Sequence, residues 1–360
     1  MRRLALLLLA GCSGLSAEDP QFRFVPFPEA PDPAMRGAAL AGRQLFAWGG
    51  RILLRRLPDG GASLVAESGA GYGPGGCVLD VNRDGQPDLV VLERSTQAGE
   101  LGRLVWMEAP MWRRHLIDTG AQFRDCVETT LHGRRGVLLI HRHAQLRFYE
   151  APESPAGPWS YRELYSIYTP SRQGGLLTTD VDSDGRTDVV MGNYWVRGPE
   201  RFELSWRLFA INLWMETPDS SMSHLKLARI LDGAGPDLVI CQSDVPEARL
   251  AWFSRPEPPT ELWTEHRLEG DLGLRYPGAL AAGDLNGDGR DEIVVGERSG
   301  EDSRLVIFKN LGAGAFRPVT IAPAGPLVGL WLEDMDGDGD RDIVAIGPAT
   351  AGWWRNQRRR

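Results

Sequence analysis

Lysine is almost missing from this chain. Of 40 basic residues only Lys226 and Lys309 are lysine, and 48 acidic residues bring the net charge to -8. The arginine excess reads as a compositional bias. The negative balance removes any electrostatic ground for a nucleic-acid partner. No apolar run approaches the ~20 residues that a membrane-spanning helix needs. Helical periodicity is absent as well, which argues against an α or α/β fold. No GxSxG, HExxH or Walker A signature occurs, so the common hydrolase, zinc-protease and nucleotide chemistries have no motif to stand on. Cysteines number four, Cys12, Cys77, Cys126 and Cys241. Without Cys12 an odd number remains, which cannot all pair within the chain, and the spacing fits no zinc or redox site. Cys77 and Cys126 fall on candidate neighbouring strands, but strand geometry could hold them apart. All three are read as small buried hydrophobes.

What the chain has in quantity is one acidic loop, written four times: DVNRDGQPD at 80–88, DVDSDGRTD at 180–188, DLNGDGRDE at 284–292 and DMDGDGDRD at 334–342. Oxygen side chains recur at positions 1, 3, 5 and 9, and glycine holds position 6. That is the all-oxygen, sharply turned arrangement of a Ca²⁺ loop. Position 7 would ligate through its carbonyl, so its side chain is free to vary. The candidate ligands are Asp80, Asn82, Asp84, Gln86 and Asp88; Asp180, Asp182, Asp184, Arg186 and Asp188; Asp284, Asn286, Asp288, Arg290 and Glu292; Asp334, Asp336, Asp338, Asp340 and Asp342. An EF-hand is excluded, because position 12 holds Val91, Met191, Val295 or Ala345 where a bidentate Glu is required. Mg²⁺ fits less well, since it keeps its waters and rarely takes a full protein cage. Acidic turns without a metal would set several carboxylates against one another.

A β-branched run follows each loop: DLVVL, DVVMG, EIVVG, DIVAI. Loopless units recur between them at a period of roughly 50 residues, at 128–140 (with Gly133 kept at position 6), at 230–240 and, without acids, at 37–50. Each unit continues into an aromatic-rich strand and then an alternating one. Four short strands per unit and seven units predict an all-β, seven-bladed β-propeller. The last unit lacks a fourth strand, and the segment 21–27 is expected to complete it, removing two exposed sheet edges. The unit containing Asp180 is the poorest match: LWMETP at 213–218 reads as its third strand, no fourth follows, and 192–206 reads as a long inserted loop.

The loops, their β flanks and their spacing resemble the FG-GAP or VCBS repeats of the integrin α-subunit propeller and of bacterial surface proteins, over nearly the whole mature chain. The resemblance implies Ca²⁺ sites near one face, up to four here, with ligands met on the opposite face. Integrin-like adhesion is not implied, because the integrin ligand-binding metal domain is absent. The N-terminus resembles a bacterial lipoprotein: Arg2 and Arg3, a short apolar stretch, then Leu9-Ala10-Gly11-Cys12. That resemblance implies a signal peptide at 1–11, lipid on Cys12, a linker at 12–20 and, with Ser13 after the cysteine, the outer membrane. The propeller would span 21–357, with Arg358 to Arg360 as a basic tail.

The face opposite the acidic loops is expected to carry the ligand site, a glycan or an envelope protein being the partner. Tyr72, Tyr168, Arg172, Tyr194, Trp195, Arg275 and Tyr276 are the candidates, since aromatic and arginine side chains at a propeller mouth suit a glycan or acidic ligand. Singly, each could instead seal a blade junction. Gly71 to Gly76 matches G-x-G-x-x-G but leads into a strand, and is read as a turn. His141-Arg142-His143 is read as a solvated turn. A non-catalytic binding or scaffold role is favoured. A polysaccharide lyase or sugar dehydratase on a calcium propeller is the alternative, and it would need an acid/base pair in the mouth.

Overall fold

A computed structural model describes residues 21–358, apart from positions 30, 59, 168–171, 215–221, 233–234, 244, 269–271, 299 and 301. The leader, Cys12 and Tyr168 lie outside the described residues. Those described form strands and turns without helix, and no helix is long and apolar enough to cross a membrane.

Seven antiparallel four-stranded sheets follow one another along the chain. We number them as blades 1 to 7: 37–67, 72–121, 126–166, 176–210, 223–267, 277–323, and 329–356 together with the N-terminal strand Phe22–Pro26. That strand pairs with Ala351–Asn356, Phe24 lying opposite Trp354, so the ring is closed by both ends of the chain. Blade 4 departs from the sequence reading. Its third strand is Tyr194–Arg197, inside the segment read as an inserted loop, and its fourth is Arg207–Ala210, directly after that segment. Leu213 and Trp214 follow the blade and do not form it.

The second strands explain why the fold is a ring. Leu89, Val90 and Val91 are fully buried, as are Ile293, Val294 and Val295. A strand covered on both faces reads as a continuous apolar run, because each face meets a neighbouring blade. The buried apolar side chains accordingly divide into seven clusters, and each spans two consecutive blades, including blade 7 with blade 1. Each fully buried Val or Leu contributes about 1.5–3 kcal/mol. No blade has a core of its own, so stability belongs to the closed circle.

Cysteine was misread in one respect. Cys77 and Cys126 form a disulfide, with Cα atoms 5.6 Å apart, joining the inner strands of blades 2 and 3. Cys241 is buried and takes no part in that disulfide. The 71–76 glycines are also not a turn. They enter the inner strand Tyr72–Leu79, where a Cβ on Gly76 would meet the Trp48 ring at 2.7 Å and the Val90 carbonyl at 2.9 Å. Blade 3 does not keep the nine-residue loop: His132 and Gly133, at φ 50° and 75°, close a two-residue hairpin of the kind that twists with its strands.

Candidate functional site

All four acidic loops connect the first and second strands of their blades, in blades 2, 4, 6 and 7. Antiparallel order puts every such connection at one end of the ring. The turns between second and third strands, and the links from blade to blade, emerge at the other end. The repeat thus divides the molecule into an acidic-loop face and an opposite mouth.

Within each loop the position-1 carboxylate folds the chain around itself. Asp80 accepts from the Asp84 and Gly85 amides at 3.0 and 2.9 Å, and Asp180 from those of Asp184 and Gly185 at 3.1 and 2.9 Å. Asp284 and Asp334 hold the amides of Gly289 and Gly339 in the same way, at 2.9 and 3.0 Å. The position-6 glycines need their residue type for conformation and not for space: φ is 83° to 89° in all four, and an added Cβ on Gly85, Gly185 or Gly289 would have nothing within 4 Å. Position 4 is also left-handed, as Arg83, Ser183, Gly287 and Gly337, a requirement the sequence pattern did not single out.

Position 9 has a second task. Asp88, Asp188 and Asp342 are fully buried, and Glu292 nearly so. One oxygen of each accepts the amide of position 2, from Val81, Val181, Leu285 or Met335, at 2.8 to 2.9 Å. The other oxygen of the aspartates takes an amide after the third strand: Ala109, Gly198 or Asn356, each at 2.7 Å. These carboxylates therefore tie the loop to the sheet. Burial pushes the three aspartates up to about 6 and Glu292 up to about 7.

In two loops the carboxylates converge. Asp180, Asp182 and Asp188 each place one oxygen within 4.8 Å of the others, and so do Asp334, Asp336 and Asp338. Oxygens that share a Ca²⁺ at 2.3–2.6 Å lie within such a span. Asp182 adds an independent sign. Its side chain is 8 % exposed and its Oδ1 is buried with no hydrogen-bond partner. A bare buried carboxylate oxygen is costly unless a cation meets it. The donor set thus fits a hard cation at loop 180.

Residues 284–345 match the FG-GAP-like repeat family. The chain is a seven-bladed β-propeller of which this segment, spanning blades 6 and 7, is similar to FG-GAP-like repeats. No curated protein matches the chain. Among solved structures it is similar to BBS1N, crystallised in complex with ARL6DN, at 12 % identity over 94 % of this chain and 97 % of that one, with TM-score 0.53. It is also similar to YCF48 from Cyanidioschyzon merolae, at 12 % identity over 93 % and 98 % of the two chains, with TM-score 0.50. At such identity these likenesses establish the fold alone.

The four acidic loops are not equivalent. Leu89 pairs with Met107, Val189 with Val196, Ile293 with Phe308 and Ile343 with Trp354. The residue beside position 9 is therefore Glu108, Arg197, Lys309 or Arg355. Arg197 reaches Asp182 at 2.6 Å and Asp184 at 3.2 Å. Arg355 pairs with Asp336 in the same manner. Blade 2 instead presents Glu108, 3.4 Å from the Asn82 amide nitrogen. Position 7 is not uniform either: Arg186 and Arg290 turn their guanidiniums back onto Asp184 and Asp288. The basic tail is partly built into the fold, for Arg358 lies 3.7 Å from Asp340. The loops are also junctions, since Arg43, Arg135 and Arg255 of the following blades donate to the carbonyls of Asp334, Asp80 and Val181.

Three of the aromatic candidates are buried between blades, and Tyr276 is exposed. Tyr72 packs between blades 1 and 2, and burial pushes its hydroxyl up to about 12. Tyr194 and Trp195 belong to the third strand of blade 4 and fill the cores on its two sides. Arg172 is exposed and lines the mouth. Arg275 and Tyr276 are exposed, with the Arg275 amide held by Glu297 at 2.8 Å. His141 is buried, so only Arg142 and His143 of the supposed solvated turn form its corner, both at positive φ.

Proposed function

We propose that this protein is a calcium-stapled, lipid-anchored propeller of the cell envelope that binds a ligand at its mouth and does not transform it. The observation that carries the reading is the division of labour between the two faces. Convergent carboxylates are confined to the turns that clasp one blade to the next, which suits structural ions. The exposed arginines of the other face surround an open cavity, which suits recognition. Cys12 would carry the lipid, and Ser13 after it favours the outer membrane. Ca²⁺ would be held by positions 1, 3 and 5 with the position-7 carbonyl, and position 9, which braces the loop from beneath, joins the ligands at loop 180 through Asp188. When bound, the ion supplies folding free energy. A protein ligand accords with BBS1N, a propeller crystallised with a protein partner.

The reading is tested with the full-length chain in its own membrane. The wild-type protein should sediment with the membrane fraction and Cys12→Ser should be released. Incubated with envelope protein and polysaccharide, the chain should retain a component and release no shortened or unsaturated product. Cleavage products would replace the binding role with the lyase reading, and an unchanged Cys12→Ser distribution would remove the anchor.

A further inference from the structure

The mouth holds a feature that the sequence does not announce. A cavity of about 950 Å³ opens there, and five arginines from separate parts of the ring line it. Arg36 enters before blade 1 and Arg94 leaves the second strand of blade 2. Arg124 links blades 2 and 3, Arg172 precedes blade 4, and Arg298 leaves the second strand of blade 6. His143 completes the set from blade 3. The lining contains one carboxylate, Glu100. A second cavity beside it, of about 220 Å³, shares Arg36, Arg124 and Arg298 and adds Asp125. This concentration stands out in a chain of net charge -8. Arg124 is fixed in place, bonded to Asp125 at 2.9 Å and to Ser243 Oγ at 2.7 Å. Arg36, Arg94, Arg172 and Arg298 are exposed.

We propose that the mouth is a receptor for an acidic peptide segment of a partner protein. The proposal rests on the binding role argued above and names its ligand. Guanidiniums gathered from separate blades outnumber the carboxylates of the lining, and an anionic ligand complements that excess. Guanidinium forks take carboxylates in bidentate fashion. The charge separation also steers such a ligand, because the acidic loops on the far face repel what the mouth attracts. A glycan is the poorer match. Sugar rings favour exposed aromatic platforms, and the aromatic side chain of this lining, Phe123, is buried. The rim from Ser95 to Gln97 offers short polar groups that suit a peptide backbone instead. His143 sits in the same field, its pKa lowered by burial and by Arg124 and Arg172.

The test uses the full chain in calcium buffer with three fluorescent probes: a peptide of alternating Asp and Glu, its Asn/Gln isostere, and an oligogalacturonate. The acidic peptide should bind and weaken as salt rises, with the isostere weaker by on the order of ten-fold or more. Arg36→Glu, Arg94→Glu and Arg298→Glu should each lower affinity by roughly ten-fold with an unchanged melting point, while Arg207→Glu, on the outer strand of blade 4, should not. Equal binding of peptide and isostere, or indifference to the mouth substitutions, overturns the proposal. Tighter binding of the oligogalacturonate overturns the peptide assignment. If the substitutions leave retention of the envelope component intact, the anion site falls while the binding role stands. If wild-type protein retains no component, the binding role itself falls.

Discussion

Replacing Asp342 with alanine is expected to destabilise the propeller by about 2–6 kcal/mol, with or without calcium. The magnitude comes from two hydrogen bonds. Asp342 is fully buried; its Oδ2 accepts the Met335 amide at 2.8 Å and its Oδ1 the Asn356 amide at 2.7 Å. Alanine leaves both amides without a partner in a site that water does not reach, at about 1–3 kcal/mol for each. The effect also reaches the ring closure, because Asn356 ends the strand that pairs with Phe22–Pro26. Asp336 of the same loop is exposed and makes the opposite control. In chelator Asp336→Ala should change stability by less than about 0.5 kcal/mol, and its cost should emerge only when calcium is added. Urea denaturation of both variants, each in calcium and in chelator, gives four numbers that separate brace from ligand. An Asp342→Ala protein as stable as wild type in chelator would refute the brace. Equal losses for the two variants in chelator would refute the division of roles within the loop.

Three further outcomes follow from the same geometry. Arg355→Ala should raise calcium affinity at loop 334 by roughly two- to five-fold, since a half-exposed guanidinium beside Asp336 competes for its charge; calorimetry showing unchanged or weaker binding would count against this. Burial holds the His141 imidazole down to about 4 from an ordinary 6.5, so the unfolded chain takes up a proton in that window that the folded chain refuses. The His141 contribution is therefore complete above pH 6.5 and lost as pH drops toward 4, by about 3 kcal/mol at most, while the buried loop carboxylates act in the opposite sense; the stability difference between wild type and His141→Gln should change across that window, and parallel profiles would remove the cause. The disulfide closes a 49-residue separation between blades 2 and 3, so Cys77→Ser with Cys126→Ser should cost about 2–4 kcal/mol by urea denaturation under non-reducing conditions, and dithiothreitol should bring wild type to the same midpoint.

Much of the fold was legible because the repeat is written in its most constrained residues. A left-handed position 6 demands Gly85, Gly185, Gly289 and Gly339, and doubly covered strands demand runs such as DLVVL and EIVVG. The missing strand of the last unit pointed to Phe22–Pro26 for the same reason: an open sheet edge has a physical cost. Blade 4 was misread because YWVR and RLFA are only four residues each, too short to show an alternation, while LWMETP imitates the aromatic strand of its neighbours. The Cys77–Cys126 bond was hidden because pairing depends on the distance between adjacent inner strands, which no spacing encodes. Three aromatic ligand candidates are buried for a general reason: Tyr72, Tyr194 and Trp195 are large and apolar, and a ring with seven junctions has many places to bury them. Of the mouth arginines the sequence singled out Arg172; Arg36, Arg94 and Arg298 were invisible singly, since they come from three separate blades and meet only when the ring closes.

The claim beneath this account is that the acidic loops clasp calcium and so hold successive blades together. It is tested most directly by stripping the protein with chelator and following its melting midpoint as Ca²⁺ is restored to about 10 mM. With dissociation constants of ~10⁻⁴ to 10⁻³ M, each filled loop should add about 1.4–2.7 kcal/mol at about 10 mM, so the midpoint should begin to climb near the dissociation constant and go on rising with the logarithm of the Ca²⁺ concentration. A midpoint that stays flat across the titration, while Ca²⁺ is shown not to bind, would contradict it.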